Sequence, residues 1–333
     1  MNKQEMEVLS LILNPVIESM TESEKESQQS QLLQKLVERA YEKTNFYHQQ
    51  LQNLGLTPDD IQTIHDISKL PFMNQADLSA NFPYGLLTIP VSGIVRLQQT
   101  RDASSVIGFT KQDIAYQIEM LCCNLAACQI TMSSMIMMDP HTLDTGSMVS
   151  LQHAAETLGA TVISSSMEDE LSIIKTMLDF GATTIVSTPS TLLQLADFLK
   201  QKGYSASDLP LMNILCEAHQ CSSDIRKALE LEFKIPVYTI YGLLEVMNLG
   251  IAGECHSQSL LHIHEDHFYA EIIDPVTGAL LGDFEPGELV LTTLSREAMP
   301  LIRYRTGDIA LLNRQPCPCG RTSARLQLIL PNI

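Results

Sequence analysis

The sequence predicts an α/β fold, a largely parallel sheet flanked by helices and followed by a β-rich layer. Three observations carry this. Apolar strand-like runs alternate with helical stretches between about residues 94 and 202, the pattern of strand–helix–strand units. The first 52 residues show helical periodicity. Beyond about residue 235 that periodicity fades and short strand-like runs take over.

In chain order, Leu32, Leu33, Leu36, Val37, Ala40 and Tyr41 recur at the helical period and define one apolar face. The polar run EKESQQSQ (24–31) reads as a solvated face or loop. Segment 53–93 is rich in Pro, Gly and turn residues, with short helices near 58–62 and 74–80. Ile94–Leu97 reads as a short strand and 111–128 as a helix. Met132–Met138 is an apolar run suited to a buried strand, and its methionines suit a plastic core. A helix at 147–158, a strand at Thr161–Ser164 and a helix at 168–180 follow, the last running into Gly181. The strand Thr183–Ser187 and a helix at 190–202 complete this part. Strands separated by helices imply a sheet covered on both faces. Val237–Ile240, Leu261–Ile263, Tyr269–Asp274, Gly287–Leu294 and Asp308–Leu312 read as short, antiparallel strands. Three regions follow: an N-terminal helical cap (1–80), a parallel α/β layer (81–235) and a β-rich layer (236–333).

Composition narrows the function. Hydrophobic residues make up 45% of the 333, and charged residues 18%, which supplies a core and excludes a wholly disordered chain. Lys+Arg 21 against Asp+Glu 39 gives a net charge of −18, a poor match for nucleic acid or an anionic membrane surface. Trp is absent and aromatics are 5%, against base-stacking surfaces. No run approaches the roughly 20 apolar residues that span a bilayer. The start, MNKQEMEVLS, lacks a basic segment followed by an apolar one, so a cytoplasmic location is expected. Eight cysteines are too sparse for a disulfide scaffold and are expected to be reduced.

Four of those residues point to a metal. Cys255 and His262 are spaced C-x6-H, and Cys317-Pro318-Cys319-Gly320 forms a tight knuckle some 50 residues later. Two short ligand pairs separated by a long excursion are how structural zinc sites are built, and Cys3His is a closed tetrahedral set. On spacing alone, His264, which shares a strand face with His262, and His256 are also candidate ligands. Cys122, Cys123, Cys128, Cys216 and Cys221 fall on apolar segments and read as small core residues.

Two segments decide the family. One is Tyr241-Gly242-Leu243-Leu244-Glu245-Val246-Met247. The other runs HIHEDHFYAEIIDPVTGALL, GELVLTTLSREAMPLIRYRTGDIALL and CPCGRT. With ISKLPFMNQADLSANFPYGLL, ETLGATVI and FGATTIVSTPS, they resemble the phenylacetate–CoA ligase family of adenylate-forming enzymes over about residues 30–325. The resemblance implies the large N-terminal domain of the adenylate-forming fold. It also implies activation of a carboxylic acid by ATP as an acyl-adenylate, transfer to the CoA thiol, and a homodimer. Glu245 matches the family's Mg²⁺/ATP glutamate, Tyr241 and Gly242 match residues flanking the adenine, and Asp308 matches the ribose-binding aspartate. The family retains the Cys/His positions, with an aromatic residue commonly at the place of His264, which favours His262 as the metal ligand.

Several departures bear on function. Where the family has a Ser/Thr/Gly-rich phosphate loop ending in Gly-Lys-Pro, this chain reads QQTRDASSVIGFT (98–110), without lysine and with its first glycine at Gly108. Bulky residues keep successive N–H groups from closing on a triphosphate. Each lost charge-assisted contact costs about 1.5–3 kcal/mol. Leu244 stands where the family has a small hydroxyl residue, and His219 replaces an acid in Glu217-Ala218-His219-Gln220-Cys221. DPHTLDTG (139–146) replaces an aromatic, glycine-rich substrate wall. The sequence ends at LQLILPNI, before the family's hinge and C-terminal lid with its catalytic lysine, so a member lacking the lid is expected. His141, Asp144 and His219 are the candidate catalytic residues. The expected function is action on an activated or activatable carboxylic acid. The alternatives are ATP-independent acyl transfer or condensation, with His141 or His219 as general base on an acyl thioester or carrier-protein arm, and a non-catalytic partner of an active synthetase.

Overall fold

The computed structural model describes residues 11–100, 103–140, 142–164 and 169–330. A one-turn helix α1 (Pro15–Glu18) precedes α2 (Glu22–Lys43), which starts at a capping box. There Glu24 N–H donates to the Thr21 hydroxyl, and the Glu24 carboxylate accepts from Thr21 N–H. Thr44 ends α2 and opens α3 (Asn45–Asn53), its hydroxyl donating to the Ala40 carbonyl and accepting from the Tyr47 amide. The polar run 24–31 lies inside α2 rather than in a loop. Lys25 pairs with Glu265 at 3.0 Å, and Gln29 Nε2 donates to the Glu265 carbonyl, so this polarity serves a contact with the far end of the chain.

After α4 (Gln75–Ala80), β1 (Arg96–Gln99) and β2 (Val106–Phe109) form an antiparallel hairpin of their own. The parallel part then alternates as expected. In order come α5 (Lys111–Ala127), β3 (Met135–Met138), α6 (Thr145–Thr157), β4 (Thr161–Ser164), α7 (Glu170–Phe180) and β5 (Thr184–Val186). These are followed by α8 (Pro189–Gln201), β6 (Asn213–Glu217), α9 (Ser223–Phe233) and β7 (Val237–Leu243). Gly181 closes α7 in the left-handed conformation at φ 65°. The strand β6 and helix α9 are additions to the sequence reading.

Beyond β7 run β8 (Asn248–Gly253), β9 (Leu261–Ile263), β10 (Phe268–Ile273), β11 (Gly287–Thr293), β12 (Tyr304–Asn313) and β13 (Arg325–Leu328), all antiparallel to their neighbours. This β-rich part continues the parallel strands in one sheet of order β10-β11-β12-β13-β9-β8-β7-β6-β5-β3-β4. The change from parallel to antiparallel pairing falls between β7 and β8.

Period-two alternation builds both faces of the parallel part. Met137, Ile185, Ile214 and Cys216 pack under α7, α8 and α9, while Ile136, Met138, Val186 and Leu215 pack under α5 and α6. Of the expected run Met132–Met138, the strand covers Met135–Met138, with Met137 and Met138 in the core; Met132, in the turn before it, is exposed. A third cluster joins α2, α3 and the antiparallel strands, including Leu33, Leu36, Tyr241, Phe268 and Leu291. Arg303, buried at left-handed φ 50°, makes two bonds to Glu271 and one to the Leu70 carbonyl, clamping the segment before α4 onto β12. No helix among the described residues is long and apolar enough to cross a membrane.

Candidate functional site

A cavity of about 810 Å³ opens at the carboxyl ends of the parallel strands, beside the switch to antiparallel pairing. That is where open α/β sheets place ligands, because loops diverge there. Its walls include Asp144, Glu217, His219, Gly242, Glu245 and Asn248. Glu217 ends β6, Asp144 caps α6, and Gly242 lies near the end of β7.

Local packing places Glu245. The chain turns between β7 and β8, with the Val246 and Met247 amides both bonded to the Leu243 carbonyl. Val246 and Met247 are fully buried, which leaves Leu244 and Glu245 on the cavity wall. Gly242 sits at a register shift between β7 and β8. A Cβ there would lie 2.3 Å from Leu249 Cα and 2.4 Å from the Asn248 carbonyl oxygen, so only glycine permits this approach.

Three expected site residues meet directly. Tyr241, buried, donates its hydroxyl to Asp308 Oδ2 at 2.7 Å, and His219 Nε2 lies 3.1 Å from the same oxygen. His219 Nδ1 faces Glu217 at 3.7 Å. Burial alone would push the imidazole down, but hydrogen bonds and charge from Asp308 and Glu217 outweigh it and raise its pKa to about 9. At neutral pH His219 is therefore an imidazolium held between two carboxylates. It has no lone pair to offer as the general base expected from the sequence. Burial and Asp308 raise Tyr241 well above the ordinary phenol range.

Asp144 lines the cavity, and its carboxylate is engaged: it caps α6 by accepting from the Ser147 amide at 3.0 Å and also accepts from the Ser147 hydroxyl and Gln98 Nε2. His141 lies outside the described residues. The segment 98–110, which the resemblance sets against the family's phosphate loop, holds most of the β1–β2 hairpin. Thr100 N–H donates to the Ser105 carbonyl, Ala103 N–H to the Thr100 carbonyl and Ser105 N–H to the Thr100 hydroxyl, so these three donors are used within the tip. Arg303 and Arg305 brace the frame, Arg305 through Glu288. Sequence reading gave Gln98, Glu217 and Asn248 no role. Their signal is tertiary, apart from the tolerance of asparagine for the left-handed φ of 62° at position 248.

The cysteine–histidine cluster forms as expected. The ligand atoms of Cys255, His262, Cys317 and Cys319 all lie within 4.8 Å of one another, and all four residues are buried. Gly320, at φ 92°, closes the knuckle, and its N–H donates to the Cys317 carbonyl. His262 turns Nε2 to Cys319 at 3.5 Å and Nδ1 to the Ser323 hydroxyl at 3.1 Å. His264 instead bonds Asn124, and burial pushes its pKa down to about 4. The set can hold a metal ion. The other five cysteines are buried, as expected of core residues.

No family model matches the chain. It is 33% identical over 328 residues to a phenylacetate–coenzyme A ligase of Thermus thermophilus, covering 96% of this chain and 73% of that protein. The chain belongs to the phenylacetate–CoA ligase family. Family members of the same name from Pseudomonas putida, 36% identical over 281 residues, and Escherichia coli, 34% over 302, cover 83% and 89% of the chain. The chain spans 64% and 69% of those two relatives. Among solved structures, a 2-hydroxyisobutyryl-CoA ligase superposes with a TM-score of 0.85 at 20% identity, over 95% of this chain and 71% of that one. A long-chain fatty-acid–CoA ligase from Archaeoglobus fulgidus gives 0.51 at 15% identity, over 68% and 49%. Both establish that this family member has the CoA-ligase fold.

Proposed function

We propose that the chain acts on a carboxylic acid in the manner of an acid–CoA ligase, with the cavity at the strand ends as its site. The observation that carries this is the placing of Gly242 and Glu245 on the wall of one cavity, with Asp308 and Tyr241 bonded to each other behind the wall residue His219, in a chain 33% identical to a phenylacetate–CoA ligase. The acid's carboxylate oxygen would attack the α-phosphorus of ATP as pyrophosphate leaves. The CoA thiolate would then displace AMP. Glu245 would hold the divalent cation that accompanies ATP. Asp308 would accept from the ribose hydroxyls through the carboxylate capacity that Tyr241 and His219 leave open. The His219 imidazolium orients Asp308 and offsets part of the negative charge of Glu217 and Asp308.

The self-bonded hairpin tip favours a second reading, in which the chain takes an already activated acyl group and ATP binding is weak. Acid-dependent exchange of pyrophosphate into ATP by the purified protein separates the two. Exchange supports adenylation. Its absence across a panel of acids, with acyl transfer from supplied acyl-adenylates or thioesters, supports the second reading.

The metal we assign to Cys255, His262, Cys317 and Cys319 is zinc in a structural role. Tetrahedral bonds of ~2.3 Å to sulfur and ~2.0 Å to nitrogen require S···S edges of ~3.8 Å and S···N edges of ~3.5 Å. The Cys255–Cys317 and Cys319–His262 separations are 3.8 and 3.5 Å. The Ser323 hydroxyl orients the imidazole as an outer hydrogen-bond partner would. Four protein ligands leave no open position, so the ion's contribution is to tie the end of the chain to β8 and β9.

A further inference from the structure

The knuckle that carries Cys317 and Cys319 also grips the start of the chain. Arg321 and Thr322 follow Gly320 directly, and they reach residues 302 to 310 positions earlier. The Arg321 side chain is 3% exposed, and its guanidinium divides its donors among three partners. Nη1 donates to Cys319 Sγ at 3.7 Å, Nε to Glu18 Oε2 at 2.5 Å and Nη2 to the Leu11 carbonyl at 2.6 Å. Thr322 adds two bonds. Its N–H donates to the Glu18 carbonyl at 3.1 Å and its hydroxyl to the Met20 carbonyl at 2.6 Å. Ile12 rests on the knuckle glycine, its Cδ1 3.5 Å from where a Gly320 Cβ would lie.

Residues 11–20 depend on these contacts for their order. Helix α1 has four residues, far too few to persist by itself in water. Glu18 ties the segment together, Oε1 accepting from the Asn14 amide at 2.8 Å while Oε2 takes Arg321. Where Arg321 points is set in turn by the knuckle. Three thiolates around a divalent ion carry a net negative charge of about one, and a guanidinium donating to one of the sulfurs offsets it. A buried arginine is costly once an anionic partner is lost, so the sulfur side and the Glu18 side of Arg321 support each other.

We propose that Arg321 couples the metal centre to the docking of residues 11–20, so that metal in the Cys255, His262, Cys317 and Cys319 set latches this segment and metal loss releases it. This rests on the assignment of zinc to that set. The coupling is reciprocal: the factor that metal adds to docking, docking adds to metal affinity. Glu18 acts through Arg321, from outside the ligand set.

The test uses the purified full chain and two measurements. Hydrogen–deuterium exchange read by mass spectrometry follows residues 11–20 before and after treatment with a strong chelator, with α8, packed on the parallel strands, as the control for general unfolding. Competition with a chromophoric chelator gives the zinc dissociation constant. Zinc removal is expected to speed exchange in 11–20 by roughly tenfold or more while α8 stays protected. Glu18→Gln keeps an acceptor for Asn14 but can turn an NH2 group against Arg321. It is expected to speed exchange in 11–20 with zinc bound and to weaken zinc binding by roughly tenfold or more, the usual cost of losing an outer partner. Arg321→Gln is the second variant and is expected to show both effects. Unchanged exchange in 11–20 after zinc removal overturns the proposal, as does a rise shared equally by α8. Zinc affinity that survives both substitutions overturns it too and leaves the zinc assignment standing. A chain that binds no zinc overturns both together.

Discussion

His219 makes the stability of this protein depend on pH in a calculable way. Its pKa in the fold is about 9 against an ordinary 6.5, raised by Asp308 and Glu217 over the opposing effect of burial. A raised value means the stabilisation is fully present below pH 6.5 and is lost as pH climbs through 9. Linkage gives about 3 kcal/mol near pH 6, about 2.5 at pH 7 and under about 0.5 at pH 9. The ring is 28% exposed, so solvent screening makes these upper figures. The perturbation is His219→Gln, which keeps a hydrogen-bonding amide but cannot carry charge. Urea unfolding of both proteins at half-unit steps from pH 6 to 10 is the assay, because subtracting the curves cancels titrations they share. The stability gap is expected to shrink by about 2 kcal/mol between pH 7 and 9. Parallel curves across that interval would refute the imidazolium bridge and restore His219 as a candidate base.

Two further expectations follow from the geometry. Cys319→Ser should take bound zinc, read by elemental analysis, from one ion per chain to a small fraction, and a strong chelator should lower the melting temperature of the wild type toward that of the variant; unchanged metal content would remove Cys319 from the ligand set. Gly242→Ala forces a Cβ to within 2.3 Å of the Leu249 backbone and must part β7 from β8, costing about 3 kcal/mol, the upper end for overpacking, in urea unfolding; a normal midpoint would show that the register shift tolerates a side chain.

Some of this was legible because the signal is local. Gly181 ended a helix where its position said it would, and the alternating apolar runs around Met137 and Ile185 became the two covered faces of the sheet. The C-x6-H and C-x-C-G spacings brought Cys255, His262, Cys317 and Cys319 together because a strand end and a tight knuckle are short-range structures. Helix α9 went unread although its boundaries carry a serine cap, because its exposed charges dilute the apolar stripe. The strands β8 and β13 went unread because one carries two glycines and the other, Arg325–Leu328, alternates polar residues with only two leucines.

By itself, then, the order of residues determined the family, the strand–helix alternation and the cysteine–histidine cluster, since each depends on neighbours along the chain. Only the tertiary structure decided the chemistry of the cavity. The distance from His219 to Asp308 spans 89 positions and that from Gln98 to Asn248 spans 150. The charge on an imidazole and the direction of an amide are set by what lies within hydrogen-bond reach, and folding alone determines which groups those are.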